Sequence, residues 1–224
     1  MLDEYKINAT RKLQNKRKSW LCSDGNLGTV EEVAREYYLK QRKFKGCLID
    51  SACVYGGLSW VLFHDILFHD NLNASQPLCA LYYNTPLRFL EKYQGTIEQR
   101  LIEYQLNRAD VFNRQIQHFK KHPFFCDPSS KIPKHNGAWL TNNEKVLLEF
   151  ATTSVEHNQE SLIREIMITS TRGRSSGWPD ILAWNESSLV FSEVKYKDKL
   201  SNNQRRWMAD HNEYNIELIW VVEV

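Results

Sequence analysis

Asp180, Glu193 and Lys195 are the residues whose types and spacing suit chemistry. The chain reads Gly-Trp-Pro-Asp-Ile-Leu-Ala-Trp from Gly177 to Trp184 and Leu-Val-Phe-Ser-Glu-Val-Lys from Leu189 to Lys195. Side chains two apart on a strand point the same way, so Glu193 and Lys195 share one face. If the two apolar runs pair as a hairpin through Asn185-Glu186-Ser187-Ser188, Asp180 reaches that face too. Two carboxylates and one ammonium converging there suit binding Mg²⁺ or Mn²⁺ and positioning a water against a phosphodiester. The expected activity is that of a metal-dependent nuclease.

Spacing of this kind also arises in a surface hairpin of alternating charge. Three features favour the site. The Pro-Asp step opens an apolar run, which places Asp180 at a strand entrance. Leu189-Val190-Phe191 marks a buried strand, where an isolated charge is costly without a cation or counter-charge. Leu200-Ser201-x-x-Gln204-x-x-Trp207 then starts an amphipathic helix and puts Gln204 beside the site.

Positive charge gathers around these residues although the 224-residue chain has a formal charge of only +2. Residues 170–206 hold seven basic residues against four acidic ones, and residues 1–20 hold six against two. Arg172 and Arg174 lie in a Gly- and Ser-rich loop whose backbone can approach phosphate closely while the guanidiniums bind it in pairs of bonds. Together with Lys197, Lys199, Gln204 and Arg205 they form the expected DNA-binding set, its contacts dominated by phosphate and therefore salt-sensitive.

The remaining composition narrows the setting. Five scattered cysteines without a Cys-x-x-Cys pair argue against a disulfide framework or zinc knuckle and for a reducing compartment. The first residues are charged, unlike a signal peptide, and the most apolar run, Ala52 to Phe68, is too short and polar to span a bilayer. An intracellular location is expected, nuclear in a eukaryote, cytoplasmic or nucleoid-associated in a bacterium.

Those residues need elements to hold them. Residues 1–28 read as a basic arm or linker. Thr29 with Glu32 forms a capping box that opens a helix to about Lys43, ended by Gly46. An apolar helix follows from about Val54 to Phe68. Thr96 with Gln99 opens another, continued by Ile97, Leu101, Tyr104, Val111, Ile116 and Phe119 at helical spacing. His122-Pro123 stops it, residues 123–140 form a loop, and Thr141 with Glu144 caps a helix to about Thr153. Short β runs are expected at 166–170, 180–184, 189–195 and 216–223, with a helix over Ser201 to Glu213. Helices followed by strand, hairpin, helix and strand make an α+β layout. The expected organisation is an arm at 1–28, a helical region at 29–140 and a catalytic domain at 141–224.

The C-terminal motifs resemble the VRR-NUC domain of the PD-(D/E)xK nuclease superfamily. Val30-Glu31-Glu32-Val33-Ala34-x-x-Tyr37-Tyr38 and Leu62-Phe63-His64-Asp65-Ile66-Leu67-Phe68 are similar to the segment preceding that domain in Fanconi-associated nucleases. The likeness implies a restriction-endonuclease-like mixed sheet flanked by helices, preceded by a helical N-terminal region. It implies a Mg²⁺- or Mn²⁺-dependent 5′ exonuclease and structure-specific endonuclease for flap and branched DNA in repair. Residue by residue it implies metal ligation by Asp180, Glu193 and the Val194 carbonyl, with Lys195 catalytic. A further family Glu falls near Asp50, one methylene shorter, which is read either as a ligand or as an N-cap of the apolar helix; Glu149 and Glu165 are the substitutes. Asn203 stands where the family often has a basic residue before the Gln. The rival readings are a degenerate DNA-binding module and a restriction or junction-resolving nuclease on the same core.

Overall fold

In the computed structural model, residues 2–14, 17–67, 86–121, 138–153, 159–169 and 177–224 are described. The arm expected over 1–28 is β structure. β1 (Asp3–Ala9) alternates, with Ile7 and Ala9 buried and Lys6 and Asn8 exposed. Counting charge along this segment hides the period-two pattern that makes it a strand. β2 (Arg11–Gln14), β3 (Arg17–Leu21) and β4 (Leu27–Gly28) form a small antiparallel sheet of their own. α1 (Val30–Glu36) starts where its capping box predicts. Glu32 N–H donates to Thr29 Oγ1 at 3.3 Å, and Thr29 N–H donates to Glu32 Oε2 at 2.7 Å. The helix runs on into a π-helical stretch, Tyr37–Gln41. Gly46 does more than stop it: β5 (Gly46–Ile49) begins there, and a Cβ on Gly46 would lie 2.1 Å from the Trp184 ring.

α2 (Ser51–Leu67) is apolar on most sides and buried along much of its length, as expected of its sequence. It is followed by α3 (Pro86–Lys92), α4 (Gln94–Leu106), α5 (Arg108–Lys121), α6 (Ala138–Ala151) and α7 (Gln159–Thr169). Helix starts shift from expectation: α4 begins two residues before Thr96, and α6 begins before Thr141. The strand expected at 166–170 is the end of α7. Its Leu162, Ile163, Ile166 and Met167 are buried at helical spacing, and a short apolar run with two isoleucines does not by itself tell the two periods apart. Most of the expected loop at 123–140 lies outside the described residues.

β6 (Ile181–Trp184) and β7 (Leu189–Lys195) form the anticipated hairpin, paired from Ile181↔Ser192 to Trp184↔Leu189. The Asn185 carboxamide oxygen accepts the N–H groups of Ser187 and Ser188 and shapes the turn. α8 (Asn202–Asp210) follows, three residues shorter at its C-terminal end than expected, and β8 (Asn215–Glu223) completes the sheet. The strand order is β1-β8-β7-β6-β5, so β7 is central. β8 is parallel to both neighbours, and β1 joins it from Asp3↔Glu217 to Ala9↔Glu223. This is a mixed sheet flanked by helices, the restriction-endonuclease-like fold.

Two compact units result. One gathers residues 2–52 and 177–224, and the other the described residues of 53–153 with 159–169. The sheet of the first unit pairs strands from opposite ends of the chain. In the first unit, α1 and the π-helical stretch cover one sheet face, with Val33, Ala34 and Tyr38 among Ile7, Ile181, Val190, Val194 and Ile219. Among the described residues no helix is long and apolar enough to cross a membrane.

Candidate active site

β7 carries Glu193 and Lys195 on the face opposite α1, in the middle strand of the sheet. Glu193 is fully buried, and the Lys195 side chain is 12 % exposed. Lys195 Nζ donates to Glu193 Oε1 at 2.5 Å. Gln204 Nε2, from the first turn of α8, donates to the same oxygen. Glu193 Oε2 is buried without a hydrogen-bond donor. Asp180, immediately before β6, is partly buried, and its Oδ2 accepts the Val194 N–H at 2.9 Å. The Val194 N–H thereby orients Asp180.

The electrostatics follow from this crowding. Burial, then the nearby Asp180 charge, pushes the Glu193 carboxyl up to about 8, against the opposing pull of Lys195. Burial also raises Asp180, opposed by the Val194 N–H, with the Glu31 charge on α1 adding to the rise. Sequence alone does not mark Glu31. An acid in the first turn of a capped helix reads as a dipole partner, and only the fold turns it toward Asp180. A buried and a partly buried carboxylate beside one lysine leave a deficit of positive charge, the two carboxyls are close enough to share a proton, and no N–H donor reaches Glu193 Oε2. A hard divalent cation satisfies both conditions, so these residues fit one.

The flanking motif residues hold this arrangement. Gly177 has φ of +115°, and a Cβ there would meet the Asn203 carbonyl oxygen at 2.8 Å. The turn into Pro-Asp therefore lies directly on the α8 backbone at Asn203. Trp178 packs on Trp207 with ring centroids 5.4 Å apart, and Trp207 packs on Phe191 of β7 at 5.2 Å. Ser201 and Gln204 form a capping box: Ser201 N–H donates to Gln204 Oε1 at 2.8 Å, which leaves the Gln204 Nε2 for Glu193. Gly177→Ala is expected to cost about 1–3 kcal/mol in denaturant unfolding and to lower cation affinity. Wild-type values for both would show that the turn tolerates a side chain.

Asp50 stands across from Asp180 at the sheet end, its N–H donating to the Asp180 carbonyl at 2.6 Å. Its φ is +67°, and its side chain is exposed. That backbone differs from the extended one usual at an N-cap. Ser51 supplies the bond at this helix start, its Oγ donating to the Pro179 carbonyl at 2.5 Å. Among the described residues no three His, Cys, Asp or Glu side chains converge closely enough to hold one ion. Asp50 is a backbone neighbour of Asp180, and Glu149 and Glu165 lie on α6 and α7. Lys197, Lys199 and Arg205 are exposed. Arg172 and Arg174 lie outside the described residues.

Residues 129–221 match the VRR-NUC domain. The match lies in the C-terminal part of this chain. Its solved structural neighbours include crystal structures of paFAN1 bound to 5′ flap DNA with a gap. With the 2-nucleotide flap the TM-score is 0.71, and with the 1-nucleotide flap it is 0.64, each at 16 % identity over the whole of this chain. At that identity the likeness is one of fold, and the chain spans 38 % of the length of those paFAN1 chains. No curated protein matches it. Within the matched stretch the order of motifs is now physical: the Gly-Trp-Pro-Asp turn, the central Glu-Val-Lys strand and the Ser-x-x-Gln-x-x-Trp helix meet at one point.

Proposed function

We propose that this chain is a divalent-metal-dependent DNA nuclease that hydrolyses phosphodiester bonds. The observation that carries the reading is Glu193 Oε2, a buried carboxylate oxygen without a donor, beside Asp180 and held on its other oxygen by Lys195 and Gln204. Asp180 and Glu193 would hold the cation, Mg²⁺ or Mn²⁺. When bound, it supplies Lewis acidity toward the phosphodiester and lowers the pKa of water. Lys195 neutralises charge building on the phosphate and orders the attacking water, while Val194 N–H and Gln204 keep both carboxylates in place. Lys197, Lys199 and Arg205 offer phosphate contacts at the exposed rim. The DNA complexes of paFAN1 support flap or branched DNA as substrate, with structure-specific endonuclease and 5′ exonuclease action in repair as the finer reading.

The test is cleavage of 5′-labelled flap, duplex, single-stranded and four-way DNAs with Mg²⁺, Mn²⁺ or EDTA. Flap and branched DNA should be cut with either metal and spared in EDTA. Asp180→Ala and Lys195→Ala should lose cutting while DNA binding stays within a few-fold. Cleavage in EDTA, or by Asp180→Ala, sinks the assignment. Tight binding without cutting of any DNA by the wild type would favour the degenerate module.

A further inference from the structure

Beyond Lys195 the same sheet face continues across two more strands. The register pairs Lys195 with Trp220 of β8, and Trp220 with Lys6 of β1. Three side chains on adjacent strands therefore stand in one row, lysine, tryptophan, lysine, at the spacing of about 5 Å between strands. β7 ends at this row, while β8 runs on through Val221, Val222 and Glu223, paired only with β1. The shortfall leaves an open groove of about 370 Å³ lined by Lys6, Tyr196, Lys197, Trp220 and the last residues of β8.

The groove has the ingredients of a nucleotide subsite. Trp220 is only partly buried, and its Nε1 donates to Glu4 Oε2 at 3.1 Å, which sets the ring's orientation. Lys197 Nζ lies 4.9 Å from the Tyr196 ring centroid. Arg11 at 3.1 Å offsets the charge of Glu223, which the Tyr196 hydroxyl also meets, and Lys6 and Lys197 outnumber the remaining carboxylate, Glu4, at the groove. An aromatic face flanked by lysines is the chemistry that holds an unpaired base and its phosphates.

We propose that this groove binds single-stranded DNA next to the scissile phosphate, one unpaired base stacking on Trp220 and the flanking phosphates lying against Lys6 and Lys197. The inference rests on the nuclease reading for its place beside Lys195, and its occupant follows from charge and from continuity with that site. Stacking on an aromatic face is indifferent to sequence, so the subsite would select strand state rather than base identity.

Binding in EDTA tests it apart from cleavage. The probes are a blunt 20-base-pair duplex and the same duplex with a 6-nucleotide 5′ single-stranded tail, read by fluorescence anisotropy. Wild type should prefer the tailed probe, Trp220→Ala should lose about tenfold on it and little on the blunt one, and Trp220→Phe should keep most of the preference. Lys6→Glu should weaken tailed binding and flatten its salt dependence. In parallel, a tail carrying 5-iodouracil should crosslink under light to the wild-type peptide holding Trp220. No tail preference in the wild type, an unchanged preference in Trp220→Ala, or crosslinks confined to other peptides would overturn the proposal. Tail preference in a protein that cuts no DNA would leave the subsite standing and remove the nuclease reading instead.

Discussion

Glu193→Gln should abolish cleavage and yet make the metal-free protein more stable above neutral pH. The carboxyl is buried beside Asp180, which holds its proton on until about pH 8, against an ordinary value of 4.5. Between these values the folded state keeps a proton that the unfolded state has released, so stability falls as pH rises through the window. Full stability from this group is present below about pH 4.5 and gone above about pH 8. Gln cannot ionise, still offers an oxygen to Lys195 and Gln204, and supplies an N–H in place of the orphaned oxygen. In EDTA at pH 8 the variant should therefore unfold later by on the order of a few kcal/mol, with the difference closing near pH 5. Divalent cation should stabilise the wild type at pH 8 and leave the variant nearly unchanged. Cleavage should fall by about 10³-fold or more. Thermal melts at pH 5 and 8, with and without Mn²⁺, read all of this except the rate. A wild type whose metal-free stability rises from pH 5 to 8 would contradict the assigned electrostatics.

Trp207→Ala is the second large effect, and it separates scaffold from chemistry. Trp207 is buried between Trp178 and Phe191 and stacks on His211 with centroids 4.2 Å apart. Removing the ring leaves a cavity where α8 meets both the Pro-Asp turn and the central strand. A loss of about 3–5 kcal/mol in denaturant unfolding is expected. Activity should fall as well, because Gln204 reaches Glu193 only while α8 is seated. Trp207→Phe should restore most of both, since it refills the contact with Phe191. If Trp207→Ala loses less than about 1 kcal/mol, α8 is held by its capping box rather than by this aromatic stack.

Asp180, Glu193 and Lys195 were legible because strand periodicity is local. Two residues apart means one face, and a four-residue turn between apolar runs means a hairpin, whatever the rest of the chain does. The capping box at Thr29 and Glu32 and the start of α8 at Ser201 were legible for the same reason: their hydrogen bonds close within three residues. The last turn of α7 is not legible as helix because a short apolar run suits both periods until its neighbours are known.

What the tertiary structure alone decided depends on contacts distant in sequence. β1 alternates at period two, but that it pairs with β8 from the other end of the chain is marked by no local signal. The orphaned oxygen of Glu193, the influence of Glu31 on Asp180 and the row Lys195, Trp220, Lys6 all arise from register between separate strands or from one helix laid over them. Asp50 shows the limit most clearly. Sequence places an acid before an apolar helix, but its left-handed backbone and its bond to the Asp180 carbonyl across the sheet appear only in the fold. Residue types set which chemistry was available; long-range pairing set which of them would share a site.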